Sequence, residues 1–216
     1  MKQKAFAVLG LGSFGMGAAN ELMERGAEVL VVDRNERLIE ENAKRFTQAV
    51  IADLTDPEAI GQLGLGSMDA VIVDMSQDLE ASIMCVMVAK EKGVHRVIAK
   101  AENKRKSEIL KKVGADQIVF PEQESGTRTA FQLMFPDILR FFDLTSDLVI
   151  VEMQPREEWC GRTLLELELR KKHGINVIAF RRGDKVYDVR SESDIIQSGE
   201  SMLIVMTKDN LETLEA

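Results

Sequence analysis

Three glycines and one acid are the residues of this chain whose types and spacing can do chemistry. Gly10, Gly12 and Gly15 stand in the run Gly10-Leu11-Gly12-Ser13-Phe14-Gly15, directly after the apolar segment Ala5-Phe6-Ala7-Val8-Leu9. Asp33 closes a second apolar segment that begins at Glu28. In the order strand, turn, helix, strand, each glycine has a task. The first permits a tight turn, the second lets backbone approach a pyrophosphate, and the third lets helix and strand pack closely. The N–H groups at the helix start then face the anion, helped by the helix dipole. An acid about 20 residues further on is placed to accept hydrogen bonds from ribose hydroxyls. The chemistry implied is noncovalent capture of a nucleotide. The competing reading is a glycine turn kept only for packing.

The elements that must position these residues are legible as apolar runs. After Ala5–Leu9 and Glu28–Val32 come Ala49–Ala52, Ala70–Val73, Arg96–Ala99 and Gln117–Phe120. Helical patterns separate them: the segment carrying Phe14, Ala18, Ala19, Leu22 and Met23 on one face, then Arg34–Arg45, Pro57–Leu63, Leu79–Lys92 and Lys104–Val113. Strands this apolar are buried on both faces, which predicts a parallel sheet with helices on each side. The fold class is therefore α/β, a Rossmann-like doubly wound sheet of six strands. Such sheets bind ligands beyond the carboxyl ends of their strands. Asp33, Asp53, Asp74 and Lys100 all fall there. For Asp53 and Asp74 the alternative is a loop residue or helix cap.

From Ser125 to Phe142 the character changes. Phe131, Leu133, Met134, Phe135, Ile138, Leu139, Phe141 and Phe142 crowd together, interrupted by Pro136. Proline removes a helix hydrogen bond and clashes with the preceding turn, so two crossover helices meeting at a bend are expected, with Pro136 as a hinge. So many large apolar groups exceed one face of a helix docked on its own domain, and a partner subunit is the economical way to cover them. The alternative is a long helix lying on its own domain. Asp143–Asp147 reads as a linker. A small α+β module follows: strand Leu148–Met153, helix Arg162–Lys172 closed by Gly174, strand Ile175–Phe180, a hairpin at Arg181–Asp184 returning through Lys185–Val189, strand Ser201–Met206, and a helical turn at Asn210–Leu214. The expected domains are 1–143 and 144–216.

Composition narrows the function. A chain of 216 residues with 45% hydrophobic content holds one large or two small domains. A net charge of -8 and a pI near 5.0 argue against a general nucleic-acid binder, which needs clustered Lys and Arg. No apolar run approaches the ~20 residues that cross a bilayer, and the N-terminus lacks a signal-peptide pattern. Cys85 and Cys160 lack CxxC spacing and read as reduced thiols of a cytoplasmic protein. Catalytic patterns are missing: there are two histidines, His95 and His173, and no GxSxG, HExxH, Walker A or zinc-type cysteine cluster. Trp159, Met84 and Met87 read as packing residues. A nicotinamide-dependent oxidoreductase stays open on the glycine motif and Asp33 alone. A redox-sensing transcription regulator would need a basic helix-turn-helix, which the sequence lacks.

Taken together, the glycine turn, Asp33, the six-strand half, the aromatic crossover and the small C-terminal module resemble the RCK family, the cytosolic regulators of K⁺ conductance of Ktr/Trk-type potassium uptake. The most specific segments are Val113-Gly114-Ala115-Asp116 leading to Phe120-Pro121-Glu122, and the run ending Asp194-Ile195-Ile196. The resemblance implies a regulatory subunit, not an enzyme. It implies ATP/ADP or NAD(H) as ligand, and a homodimer through the crossover that assembles into an octameric ring. It also implies a membrane-embedded K⁺ channel or transporter as partner, approached from the cytoplasmic side, with no role for nucleic acid. The site it implies comprises Gly10, Gly12, Ser13, Phe14, Gly15, Asp33, Arg34, Asp53, Lys100 and Glu122. Lys100 would lie near phosphate, and Glu122 would help hold a divalent cation, Mg²⁺ or Ca²⁺, between subunits. Ser13 departs from Ktr-type relatives that carry arginine there, which removes a charged phosphate contact. Arg170 and Asn176 match positions that contact cyclic di-AMP in some relatives, although Glu192 stands where those relatives can have proline.

Overall fold

Strand, helix and strand alternate through the first 120 residues as the apolar runs require. The computed structural model describes residues 3–75, 77–145 and 147–214. The strands are β1 (Ala5–Leu9), β2 (Glu28–Asp33), β3 (Gln48–Ile51), β4 (Ala70–Val73), β5 (Val97–Lys100) and β6 (Gln117–Val119). Between them lie α1 (Ser13–Glu24), α2 (Glu36–Asn42), α3 (Pro57–Gly61), α4 (Leu79–Glu91) and α5 (Lys104–Val113). All pairings are parallel, and the strand order is β3-β2-β1-β4-β5-β6. The order reverses between β1 and β4, the topological switch point beside which open α/β sheets place their ligands. Ala7, Val8 and Leu9 of β1 are fully buried, as the unbroken apolar run demands.

Helix starts follow from local chemistry. Asn35, Asp56, Asp78 and Asn103 cap α2, α3, α4 and α5 by accepting first-turn N–H groups at 2.9–3.2 Å, each worth about 1 kcal/mol. The N-cap of α1 is Gly12, which has no side chain to do this.

The chain separates into two compact units, residues 1–124 and 125–216. A sixth helix, α6 (Pro121–Met134), runs across that division. The expected second crossover helix does not form: Ile138–Asp143 is a strand, β7, paired antiparallel with β8 (Leu148–Met153). Pro136 stops the helix, and the β-branched and aromatic residues Ile138, Phe141 and Phe142 suit a pleated surface. Pro136 thus marks a helix-to-strand junction rather than a bend between helices. Phe131 packs on Phe135 and Phe141 at ring-centroid distances of 4.6 and 4.1 Å. The expected linker is the turn joining β7 to β8, in which Leu144 and Thr145 N–H groups bond the Leu148 carbonyl; its Ser146 lies outside the described residues. The units therefore divide the chain ahead of the expected boundary at 143/144.

The second unit continues with α7 (Leu164–Leu167), α8 (Leu169–His173), β9 (Asn176–Arg182), β10 (Lys185–Asp188) and β11 (Ser201–Thr207). Its five-stranded antiparallel sheet has the order β10-β9-β11-β8-β7. The single helix expected over Arg162–Lys172 is broken at Glu168, which adopts φ 49°. Leu167 and Leu169 are both buried. An unbroken helix would point residues two apart in nearly opposite directions, so the break turns both into one core. Trp159 is core, as expected, with Arg156 over its ring.

Candidate functional site

The glycine turn lies at the carboxyl end of β1, at the switch point. Gly12 and Ser13 are exposed, Phe14 is half-buried, and Leu11 and Gly15 are buried. A helix start leaves its first N–H groups without intrahelical partners, so those of Ser13 and Phe14 lie at the positive end of α1. Asp33 accepts the Leu11 N–H at 2.8 Å and the Asn35 N–H at 2.9 Å, which brings the acid of β2 onto the turn of β1. Arg34 is exposed beside it. Asp53 is exposed at the end of β3 and is held by Thr55, whose N–H and hydroxyl donate at 2.9 and 2.8 Å. Those bonds, with the Arg34 charge, hold the Asp53 carboxyl below its ordinary range. Asp53 thus sits near the expected rim, built as the loop acid that the alternative reading describes.

The inner wall of the turn is Asp74. Its carboxylate Oδ2 accepts the Gly15 N–H at 2.8 Å. A Cβ at Gly12 would lie 2.6 Å from that oxygen, and a Cβ at Gly10 would strike the Asp74 carbonyl. A Cβ at Gly15 would strike the Gly10 carbonyl. All three glycines are therefore demanded by packing. Oδ1 of Asp74 meets the Lys100 ammonium at 3.2 Å, and the same ammonium meets Glu122 Oε1 at 2.7 Å. The side chains of Asp74 and Lys100 are 2% and 9% exposed, that of Glu122 66%. Burial works to lower the Lys100 pKa, but Glu122 and Asp74 outweigh it and the ammonium is held above its ordinary range. Lys100 in turn holds the Glu122 carboxyl below its own. A cleft of about 200 Å³ beside this chain of charges is lined by Gln77, Lys100, Glu102, Phe120, Glu122 and Gln123, among others.

The sequence places Asp74 with the carboxyl-end residues, but its place beneath the glycines is not legible there, since it lies 59 residues from Gly15. The available signal was its position at the end of the strand across the switch point. The turn, Asp33 and the Lys100 ammonium together offer backbone donors, an acceptor carboxylate and a cation, a set that fits a nucleotide. Among the described residues no group of three or more His, Cys, Asp or Glu is placed to hold a metal ion. In the second unit Arg170, Asn176 and Glu192 line one groove of about 330 Å³ with Leu165 and Val189.

Two domain families account for nearly the whole sequence. The TrkA-N domain matches residues 6–121, and the TrkA-C domain matches residues 148–216. The chain belongs to the TrkA-domain, or RCK, family. One relative of this TrkA-domain chain is the Ktr system potassium uptake protein C of Bacillus subtilis (strain 168). It is 35% identical over 213 residues, covering 99% of this chain and 96% of that protein. Among solved structures, the GsuK RCK domain aligns with a TM-score of 0.65 at 17% identity, covering 99% of this chain. This TrkA-domain chain spans 47% of that chain, and the likeness is one of fold. The NAD(P)-binding domain of an exopolyphosphatase-related protein from Archaeoglobus fulgidus aligns with a TM-score of 0.52 at 27% identity. That match covers 61% of this chain and 96% of that domain.

Proposed function

We propose that this chain is a nucleotide-binding regulatory subunit of a potassium uptake system. The observation that carries the reading is similarity along the full length to a Ktr system potassium uptake protein, joined to a glycine turn, Asp33 and Lys100 arranged for a nucleotide. Its partner is a membrane-embedded K⁺ channel or transporter. Among the described residues no helix is long and apolar enough to cross a membrane, which fits a subunit that works from the cytoplasmic face. A role in potassium uptake is supported by the relative's name; hydride turnover with a nicotinamide would favour the oxidoreductase alternative.

The ligand is ATP/ADP or NAD(H), held by the turn, Asp33, Arg34 and Lys100. The NAD(P)-binding relative supports a dinucleotide, and Ser13 leaves the phosphate contacts to backbone, Lys100 and the helix end. A ligand gates only through its difference in affinity between two states. Driving a two-state ring from mostly closed to mostly open takes ~5.5 kcal/mol, and an octameric ring of homodimers spreads that over many sites. Mg²⁺ or Ca²⁺ at Glu122 would need a neighbouring subunit or the nucleotide to complete its ligands. Cyclic di-AMP is a candidate for the groove of Arg170 and Asn176, with Glu192 the feature that opposes a phosphate there.

Thermal-shift titration with ATP, ADP and NADH, with and without Mg²⁺ or Ca²⁺, tests the reading. Ligand that binds the native state raises the melting temperature by mass action, so the ranking reads out preference. No shift with any of them would overturn the proposal.

A further inference from the structure

Asp74 is a buried carboxylate with two donors and a third group hanging from one of them. Oδ2 holds the Gly15 N–H at the start of α1, Oδ1 holds Lys100, and Lys100 holds Glu122 in the first turn of α6. The two ends of this relay differ in burial. The Asp74–Lys100 pair is almost wholly enclosed, and separating such a pair strands a charge away from water. Glu122 is largely exposed and can be hydrated if its partner leaves. An anion arriving beside the turn therefore has one low-cost way to engage the ammonium: it displaces the outer carboxylate and leaves the inner one in place.

We propose that Asp74 is a positioning residue that pins Lys100 as a pivot, so that the outer contact of the ammonium exchanges between Glu122 and the terminal phosphate of a nucleotide at the glycine turn. This deepens the nucleotide reading and rests on it. With the phosphate absent, Lys100 ties the first turn of α6 to the ends of β4 and β5. With a long phosphate tail bound, the tie is released and Glu122 is freed. A shorter tail leaves the tie intact. Asp74 also carries negative charge directly beneath the turn, so it sets how much of the helix-end field an incoming phosphate meets. Its fixed hold on Lys100 offsets that charge.

The test uses the full chain, with ATP and ADP as probes and two readouts. Hydrogen exchange in wild type should show the amides of residues 124–128, the first of α6 to be hydrogen-bonded, losing protection with ATP and keeping it with ADP. Isothermal titration of Asp74→Asn should show the ratio of ATP to ADP affinity falling about fivefold or more, the lower end of typical coupling. Asparagine keeps an acceptor for the Gly15 N–H and loses the charge that holds Lys100, so a merely structural role would leave that ratio alone. Equal protection of the amides of residues 124–128 with both nucleotides in wild type overturns the proposal, whether or not the variant folds. So does an unchanged affinity ratio in folded Asp74→Asn. Absence of ATP and ADP binding to wild type also overturns the proposal, and it leaves NAD(H) as the ligand of the nucleotide reading.

Discussion

Asp33 accepts the Leu11 N–H at 2.8 Å, so the acid that ends β2 is tied directly to the turn that ends β1. Its second oxygen takes the Asn35 N–H at 2.9 Å. Hydrogen bonds onto a carboxylate are the stronger kind, and each oxygen retains a lone pair for a ribose hydroxyl. Asp33→Ala should therefore cost about 1–3 kcal/mol of stability and at least ~10-fold in nucleotide affinity. Asp33→Asn keeps an acceptor for one of the two N–H groups and turns a donor toward the other, so it should recover only part of the stability and little of the affinity. Urea unfolding and isothermal titration separate the two effects. Full affinity in Asp33→Ala would remove Asp33 from the ligand site.

Two glycines of α1 and its turn should respond in opposite directions. A Cβ at Gly12 meets Asp74 Oδ2 at 2.6 Å, and that oxygen is fixed by Gly15. Gly12→Ala should cost about 1–3 kcal/mol through overpacking. Gly17 is exposed within α1, and an added Cβ there meets nothing within 4 Å. Gly17→Ala should stabilise by about 0.4–1 kcal/mol, because it restricts the unfolded chain. Chemical denaturation of both variants checks the sign of each change.

Acid should erase one identifiable contribution to stability. Asp116 accepts the Val97 N–H at 2.6 Å and pairs with Lys90 at 3.1 Å. Burial works to raise its pKa, but the Val97 bond and Lys90 outweigh it and hold the carboxyl below its ordinary range. A folded-state pKa below the unfolded one means that the contribution is present above about pH 4 and is lost as pH falls through the folded value. Asp116→Asn should thus be less stable than wild type by about 1 kcal/mol at pH 7. The two should converge as pH falls through the folded value. A difference that persists in acid would assign the effect to packing.

What the sequence showed and what it hid divide on physical grounds. The six parallel strands were legible because burial on both faces makes them unbroken apolar runs, and Asn103, three residues ahead of the Lys106 N–H that it caps, announces α5 locally. Ile138–Phe142 reads as helix in the sequence because a crowded apolar segment carries no clear period, and it folds as strand β7. Its alternation is spoiled by an irregularity in its pairing with β8 between Ile138 and Arg140. The break at Glu168 was hidden by a run of good helix formers, and only the joint burial of Leu167 and Leu169 explains it. Asp74 was hidden for a different reason: its partners Gly15 and Lys100 come from other strands' ends, and no local pattern encodes a meeting across the sheet.

Association through the segment around α6 and β7 makes the last prediction. No residue of α6 is fully buried. Leu133 and Met134 are 78% and 64% exposed, and Phe142 and Leu144 of the following hairpin 57% and 56%. Large apolar groups left in water together in this way mark an interaction surface. A second copy is the natural occupant in the homodimer reading, because a two-fold interface uses the same patch on both chains. The double substitution Leu133→Glu/Met134→Lys puts two charges where that interface would be dry. Light scattering on a sizing column should then give an assembly of smaller mass than wild type. The melting temperature of wild type should rise with protein concentration, since association stabilises by mass action, and that of the variant should not. A variant that keeps both the wild-type mass and its concentration dependence would place the interface elsewhere on the chain.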